Sequence, residues 1–356
     1  MNRLRNLIGG GGKDRQTNIE LARLLSMFLI LVIHADMVSL AKPTSIDFAN
    51  NPIAVIARYL FESIGIVSVD VFVMISGWFL VKTKTKGVLS FIFQILFFWG
   101  GGYLVMLATH NAEFSIKGVL HCFAFTNWDW FIKAYLVLLI IAPILNSFIQ
   151  NSSEKLQRSI IFWFFLFMCT YGWIGGARRF FVDGYGSLSF IGLYLLSNYV
   201  RNINEFDTVP LRVKQLFNFN KNIDLVIFIT SAILNTIIGV VALKLDVSAY
   251  SFVYSYINPL VIIGAIYFLL FFSKIEIKQN TLINWLAASS FAVYLLHGQF
   301  DIRPFFTKYV QAIYDSYNGV IVIILIGFYL VLVYLLSVMI DQLRIFTWNK
   351  LSKKIK

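Results

Sequence analysis

The chain has 356 residues, 58% hydrophobic and 13% charged, against about 45–50% and about 25% in a typical soluble domain, and with a mean hydropathy of +0.75 it is not a soluble globular protein. The 30 Lys+Arg against 18 Asp+Glu leave a net charge of +12, but the basic residues cluster between apolar runs, where they set topology and imply no nucleic-acid partner. Cys122 and Cys169 are the only cysteines, which excludes a disulfide scaffold and a four-cysteine zinc site and leaves one bridge between them open.

In chain order, residues 1–18 read as a cytoplasmic leader, 19–345 as a single transmembrane domain and 346–356 as a basic cytoplasmic tail. Apolar runs near 20–41, 54–81, 88–108, 128–149, 157–174, 186–200, 222–243, 250–272, 282–300 and 317–343 have lengths suited to a hydrocarbon core of about 30 Å. The expected fold is all-α: a polytopic membrane helix bundle of about ten transmembrane helices. An even count places both termini on one side, and the loops of that side hold twenty Lys and Arg against nine on the other, so both termini are expected in the cytoplasm. Ser39 and Ala41 resemble a signal-peptide cleavage site, but the apolar run 24–33 is followed by His34 and Asp36 before that site, so the run is read as a first span. The longest cytoplasmic loop, 201–221, is too short for a separate domain.

Ionisable residues within the spans are costly and point to function. In the first span Arg23 and His34 are eleven residues apart, which puts both on one helical face about 16 Å apart, shared by Glu20. His34 can accept and return a proton near neutral pH; the plainer alternative is a bundle histidine bonded to a backbone carbonyl. Arg23 could instead snorkel to lipid phosphate or pair with Glu20. In the second span Asp70 lies twelve residues before Lys82, about 18 Å and so close to the depth of His34. It could orient that imidazole or form a structural salt bridge.

The fourth span opens with Trp130 and Tyr135, either substrate contacts or interfacial anchors. Arg178 and Arg179, in an external glycine-rich loop, could hold an anionic group or be a solvated pair. Ser290, Tyr294 and His297, at spacings of four and three, share one face of the ninth span, for chemistry or interhelical hydrogen bonding. No two-histidine metal spacing, phosphate loop or nucleophile elbow occurs, so no metal is expected.

Several segments together resemble the acyltransferase-3 family, integral-membrane acyltransferases of cell-envelope glycans. They are Arg23 with His34, DVFVMISGWFL at 70–80, WFIKAY at 130–135 leading to Pro143, GYGSLSFIGLY at 184–194, and YINP at 256–259 followed by NWLAASSFAVYLLH at 284–297. The resemblance implies an O-acyltransferase, most simply an O-acetyltransferase, of the bacterial cytoplasmic membrane. It would move an acetyl group from cytoplasmic acetyl-CoA to a sugar hydroxyl of a lipid-linked or exported glycan. His34 would be the catalytic histidine and Arg23 its motif partner. Where some members carry paired arginines after the second span, this chain has Lys82, Lys84 and Lys86, which could attract CoA phosphates as point charges. The expected partners are a saccharide acceptor and membrane lipids. The competing reading is a proton-coupled transporter with Arg23, His34 and Asp70 as its relay.

Overall fold

The structure is a computed structural model that describes residues 15–82, 84–123, 130–175, 178–247 and 249–354. Among the described residues every regular element is helical. Helix α1 (Thr17–Ile33) passes directly into a π-helical segment, His34–Ser39. A Thr44–Asp47 capping box opens α2 (Ser45–Asn50), and Asn51 with Pro52 opens α3 (Pro52–Gly65), so the chain turns before it re-enters a span. Only Ile66 separates α3 from α4 (Val67–Trp78). There follow α5 (Thr85–Ala108), α6 (Ile116–Cys122), α7 (Trp130–Asn151) and α8 (Glu154–Phe167), the last extended by a π segment, Met168–Ile174. The second half comprises α9 (Arg178–Phe181), α10 (Ser187–Arg201), α11 (Leu211–Phe217), α12 (Lys221–Lys244), α13 (Tyr250–Val253) and α14 (Pro259–Ser273). It ends with α15 (Thr281–Ala288), α16 (Ser290–Gly298), α17 (Arg303–Ser316) and α18 (Val320–Leu351).

Among the described residues six helical stretches are long and apolar enough to cross a membrane: Thr17–Ser39, Pro52–Trp78, Thr85–Ala108, Trp130–Asn151, Lys221–Lys244 and Val320–Leu351. The protein is a multi-pass membrane protein. The other four expected spans fall on shorter or interrupted elements. Asn258 caps α14 and Pro259 occupies its first turn, so the eighth span starts nine residues later than its apolar run, because proline has no N–H to continue an earlier helix. The ninth divides at Ser289, whose backbone leaves the helical region and whose hydroxyl accepts from Gln342. Helix α17, in a stretch read as an external loop, has exposed and buried faces that a span-length hydropathy reading averages out.

The described residues within 1–42, 84–129 and 277–356 form one compact unit, and those within 43–83 and 130–276 a second. In the first, Thr17 accepts from the backbone of Asn280, and the Arg15 guanidinium donates to the Asn284 carbonyl, fixing α1 to the start of α15. Arg344 grips the buried Asp341 with two hydrogen bonds of 2.8 and 2.9 Å, and Gln94 of α5 adds a third at 3.3 Å. Pairing of this kind is what allows a carboxylate to be buried. Helix α17 runs along the π segment, where Gln311 donates to the Ser39 carbonyl at 2.8 Å and Thr307 and Ser39 share a hydrogen bond of 3.3 Å.

The second unit is built on α4, all of whose residues are buried. Gly77 lets α10 approach closely, since a Cβ there would run into the Tyr194 backbone. The Ser197 hydroxyl donates to the Met74 carbonyl at 2.5 Å and Arg201 donates to the Trp78 carbonyl, the latter an acceptor that the end of α4 leaves open. Lys274, which caps the end of α14, binds Asp224 of α12 at 2.6 Å.

Candidate functional site

The site is built where α1 changes its winding. π-Helical turns inside α-helices occur frequently at functional sites, and here the change begins at His34 itself, whose N–H reaches the carbonyls of both Ile30 and Leu31. The Ser39 hydroxyl donates to the His34 carbonyl at 2.9 Å. The His34 side chain is half-buried and meets His297 of α16, with Nδ1 of His34 2.7 Å from Nε2 of His297 and ring centroids 5.0 Å apart. His297 is buried, and its Nδ1 lies 2.5 Å from the Val293 carbonyl one turn earlier.

This chain of contacts assigns the protons. A carbonyl can only accept, so Nδ1 of His297 carries the hydrogen and donates it. Neutral His297 then has its lone pair on Nε2 and accepts from Nδ1–H of His34. Neutral His34 is left with its lone pair on Nε2, the nitrogen that a general base needs unprotonated. Tyr294 and Phe306 wall the second ring, with centroids 6.1 and 5.4 Å from His297.

Sequence reasoning singled out both histidines but did not join them. It gave the orienting role to Asp70, whereas the Nδ1 position that such a partner would occupy is held by His297. Asp70 is in the second unit, fully buried, with no hydrogen-bond partner for either carboxylate oxygen among the described residues. An unsatisfied buried polar group costs about 1–3 kcal/mol. Asp70→Leu is therefore expected to raise the thermal midpoint by removing an unsatisfied buried carboxylate, and acyl transfer by the stabilised variant reads what the carboxylate contributes to turnover. A stabilised Asp70→Leu protein with full activity would make the carboxylate a packing residue.

Arg23 is ion-paired with Glu20, Nη1 to Oε2 at 3.1 Å, and Arg15 lies 3.6 Å from the same carboxylate. Helix α1 is unbroken between Arg23 and Ile33, so the expected common face of Arg23 and His34 holds. Lys82, Lys84 and Lys86 are exposed, and Lys86 donates to the Ser352 carbonyl at 3.3 Å. Lys82 belongs to the second unit and the other two to the first. Trp130 and Tyr135 stand on α7 in the second unit, where the Tyr135 hydroxyl shares a 2.9 Å hydrogen bond with Ser76. Arg178 and Arg179 begin α9, and their side chains lie outside the described residues. Cys122 and Cys169 are free thiols. Among the described residues no cluster of His, Cys, Asp and Glu is arranged to hold a metal.

Two further neighbours of the histidine pair were invisible as site residues. The Val293 carbonyl is a backbone group, without a residue-type signal. Arg303 lies in a stretch that the sequence presents as an external loop, but it begins α17 and lies within electrostatic reach of both imidazoles. Its one local cue was the following Pro304, a residue favoured in the first turn of a helix.

Neither a comparison with curated proteins nor one with solved structures gave a match. A family model described as an acyltransferase domain matches residues 16–341, a range that includes both histidines, Asp70 and the long helices of both units. With an imidazole pair suited to proton transfer inside a multi-pass helical membrane protein, and a match over nearly the whole chain, the protein belongs to the acyltransferase-3 family of membrane acyltransferases.

Proposed function

We propose that the protein is an O-acyltransferase of the bacterial cytoplasmic membrane that moves an acetyl group from acetyl-CoA to a sugar hydroxyl of a lipid-linked or exported glycan. The observation that carries this reading is the relay from the Val293 carbonyl through His297 to His34, which leaves Nε2 of His34 basic. In the reaction, Nε2 takes the proton of the sugar hydroxyl as its oxygen attacks the thioester carbonyl. The C–S bond then breaks, and the departing CoA thiolate takes the proton back from Nε2. His297 holds the imidazole in the required tautomer throughout.

The donor side of the proposal rests on Arg23 and the three lysines. Nη1 of Arg23 binds Glu20, and a planar guanidinium offers further donors suited to a CoA phosphate, while exposed lysines add an attraction that salt screens beyond about 8 Å. Arg23→Ala is expected to raise the apparent KM for acetyl-CoA about tenfold and that for the acceptor much less, with Arg23→Lys recovering part of the loss. Equal donor KM values in Arg23→Ala and the parent would remove Arg23 from the donor site.

The deciding experiment follows label from acetyl-CoA in membranes, with mass spectrometry of the envelope glycan made with and without this chain. An acetyl group that appears on the glycan only with the active protein supports the reading. Uptake of labelled solute into vesicles with no labelled glycan would favour the transporter.

A further inference from the structure

Three helices of the second unit bring aromatic rings together at their beginnings. Trp130 is the first residue of α7, Tyr185 lies two residues before α10, and Tyr256 lies three before α14. Ring centroids are 4.5 Å apart for Trp130 and Tyr185, 5.1 Å for Tyr185 and Tyr256, and 5.7 Å for Trp130 and Tyr256. Phe190 supports the Trp130 ring at 6.1 Å.

Beside this cluster a carboxylate is buried within a membrane span. Glu62 of α3 is 4% exposed and accepts a 2.7 Å hydrogen bond from the Tyr250 hydroxyl. Glu62 and Asp183 are both within electrostatic reach of Tyr185.

The turn that presents Tyr185 is strained. Val182, Asp183 and Gly184 have φ of 49°, 54° and 91°, a left-handed run that costs free energy at the two non-glycine positions. It is held by the Asp183 carbonyl, which accepts from the Tyr256 N–H and the Ser255 hydroxyl, each at 3.1 Å. A Cβ at Gly184 would strike the Tyr256 side chain. The fold thus sacrifices local stability to place Tyr185 against Tyr256.

Interfacial anchoring does not explain this arrangement. Anchor rings sit at the headgroup level facing lipid, whereas Tyr256 is 7% exposed, the rings pack on one another, and a membrane anchor gains nothing from a buried carboxylate. Tyr185, at 39% exposure, leaves the cluster open on one side. Aromatic faces with a recessed carboxylate and phenolic hydroxyls match a pyranose ring, whose C–H face is apolar and whose rim carries hydroxyl donors. All three ring positions are also at span ends that the loop charges assign to the side away from the cytoplasm.

We infer that Trp130, Tyr185, Tyr256 and Glu62 form the acceptor subsite, which takes one neutral pyranose ring of the glycan with its apolar face on Trp130 and Tyr185 and a hydroxyl on Glu62. The inference rests on the proposed saccharide acceptor, and binding can be separated from turnover. Saturation-transfer NMR on the detergent-solubilised full-length His34→Ala protein, with methyl α-glucoside, methyl α-galactoside and methyl β-N-acetylglucosaminide as probes, should detect ring-proton contact for at least one of them. On that background Trp130→Ala, Tyr185→Ala and Glu62→Gln should each weaken binding about tenfold or more, whereas Tyr185→Phe, which keeps the ring face and the fold, should bind nearly as the parent does.

Absence of contact with every glycoside, or contact unchanged in both Trp130→Ala and Tyr185→Ala, would overturn the subsite. If Trp130→Ala fails to fold, the partly exposed Tyr185→Ala decides alone. In the catalytically active protein, saccharide acylation with an acceptor KM unmoved by Tyr185→Ala would reject the subsite and keep the proposed function. Cluster-dependent binding with no acylation of any saccharide would do the reverse.

Discussion

His34→Ala is expected to lower acyl transfer by about 10²–10⁴-fold, the range a positioned general base supplies, while the protein accumulates in the membrane at close to the parent level. The structure separates these effects. In the proposed reaction Nε2 of His34 takes the proton, so its loss removes the acceptor, but the side chain is only half-buried and its hydrogen-bonded ring partner among the described residues is His297. Truncation therefore opens little of the core. The check is a labelled-acetyl transfer assay normalised to protein level, and full activity in a well-expressed variant would end the assignment of His34 as base.

A loss on the order of 10²-fold is expected for His297→Ala, because a base that can turn out of alignment forfeits much of the same range. His297 is a positioning residue in this reading: it accepts from Nδ1–H of His34 and is itself held by the Val293 carbonyl. Since it is 2% exposed, alanine also leaves a cavity, so the informative variant is His297→Gln, whose amide oxygen can accept the same proton. His297→Gln should recover activity that His297→Ala loses, and either change should add little on a His34→Ala background because the two residues act as a unit. A His297→Gln protein as stable as the parent but no more active than His297→Ala would show that packing around His297, not the hydrogen bond, was lost.

The parts of the molecule legible in the sequence are those that one-dimensional signals encode. Phe and other apolar residues in long runs announced membrane helices, and the stretches Thr85–Ala108, Trp130–Asn151 and Lys221–Lys244 end within three residues of the runs that marked them. Elements that depart from this pattern do so at local backbone chemistry. Pro259 delays a helix, Ser289 divides one, and the π turn at His34 has no composition of its own because its register is set by contacts with Ser39 and the face of α17.

For the candidate site, the single-helix relation of Arg23 to His34 followed from the sequence by itself, because eleven residues of helix return to nearly the same face. So did the family, through motifs spread over almost the entire chain. Which group holds the imidazole did not follow. Matching depths along two helices suggested Asp70 as the partner, but a depth along a helix carries no information about which group meets Nδ1 of His34. Only the packing of α16 against α1 brings Nε2 of His297 to Nδ1 of His34, and only the turn of α16 supplies the Val293 carbonyl that sets the tautomer. The same holds for Trp130, Tyr185 and Tyr256, which are 55 and 71 residues apart in sequence and meet because three helix starts converge in one unit. Hydropathy records how much surface each helix buries, whereas the direction of a hydrogen bond and the meeting of distant rings depend on tertiary contacts that composition and spacing do not encode.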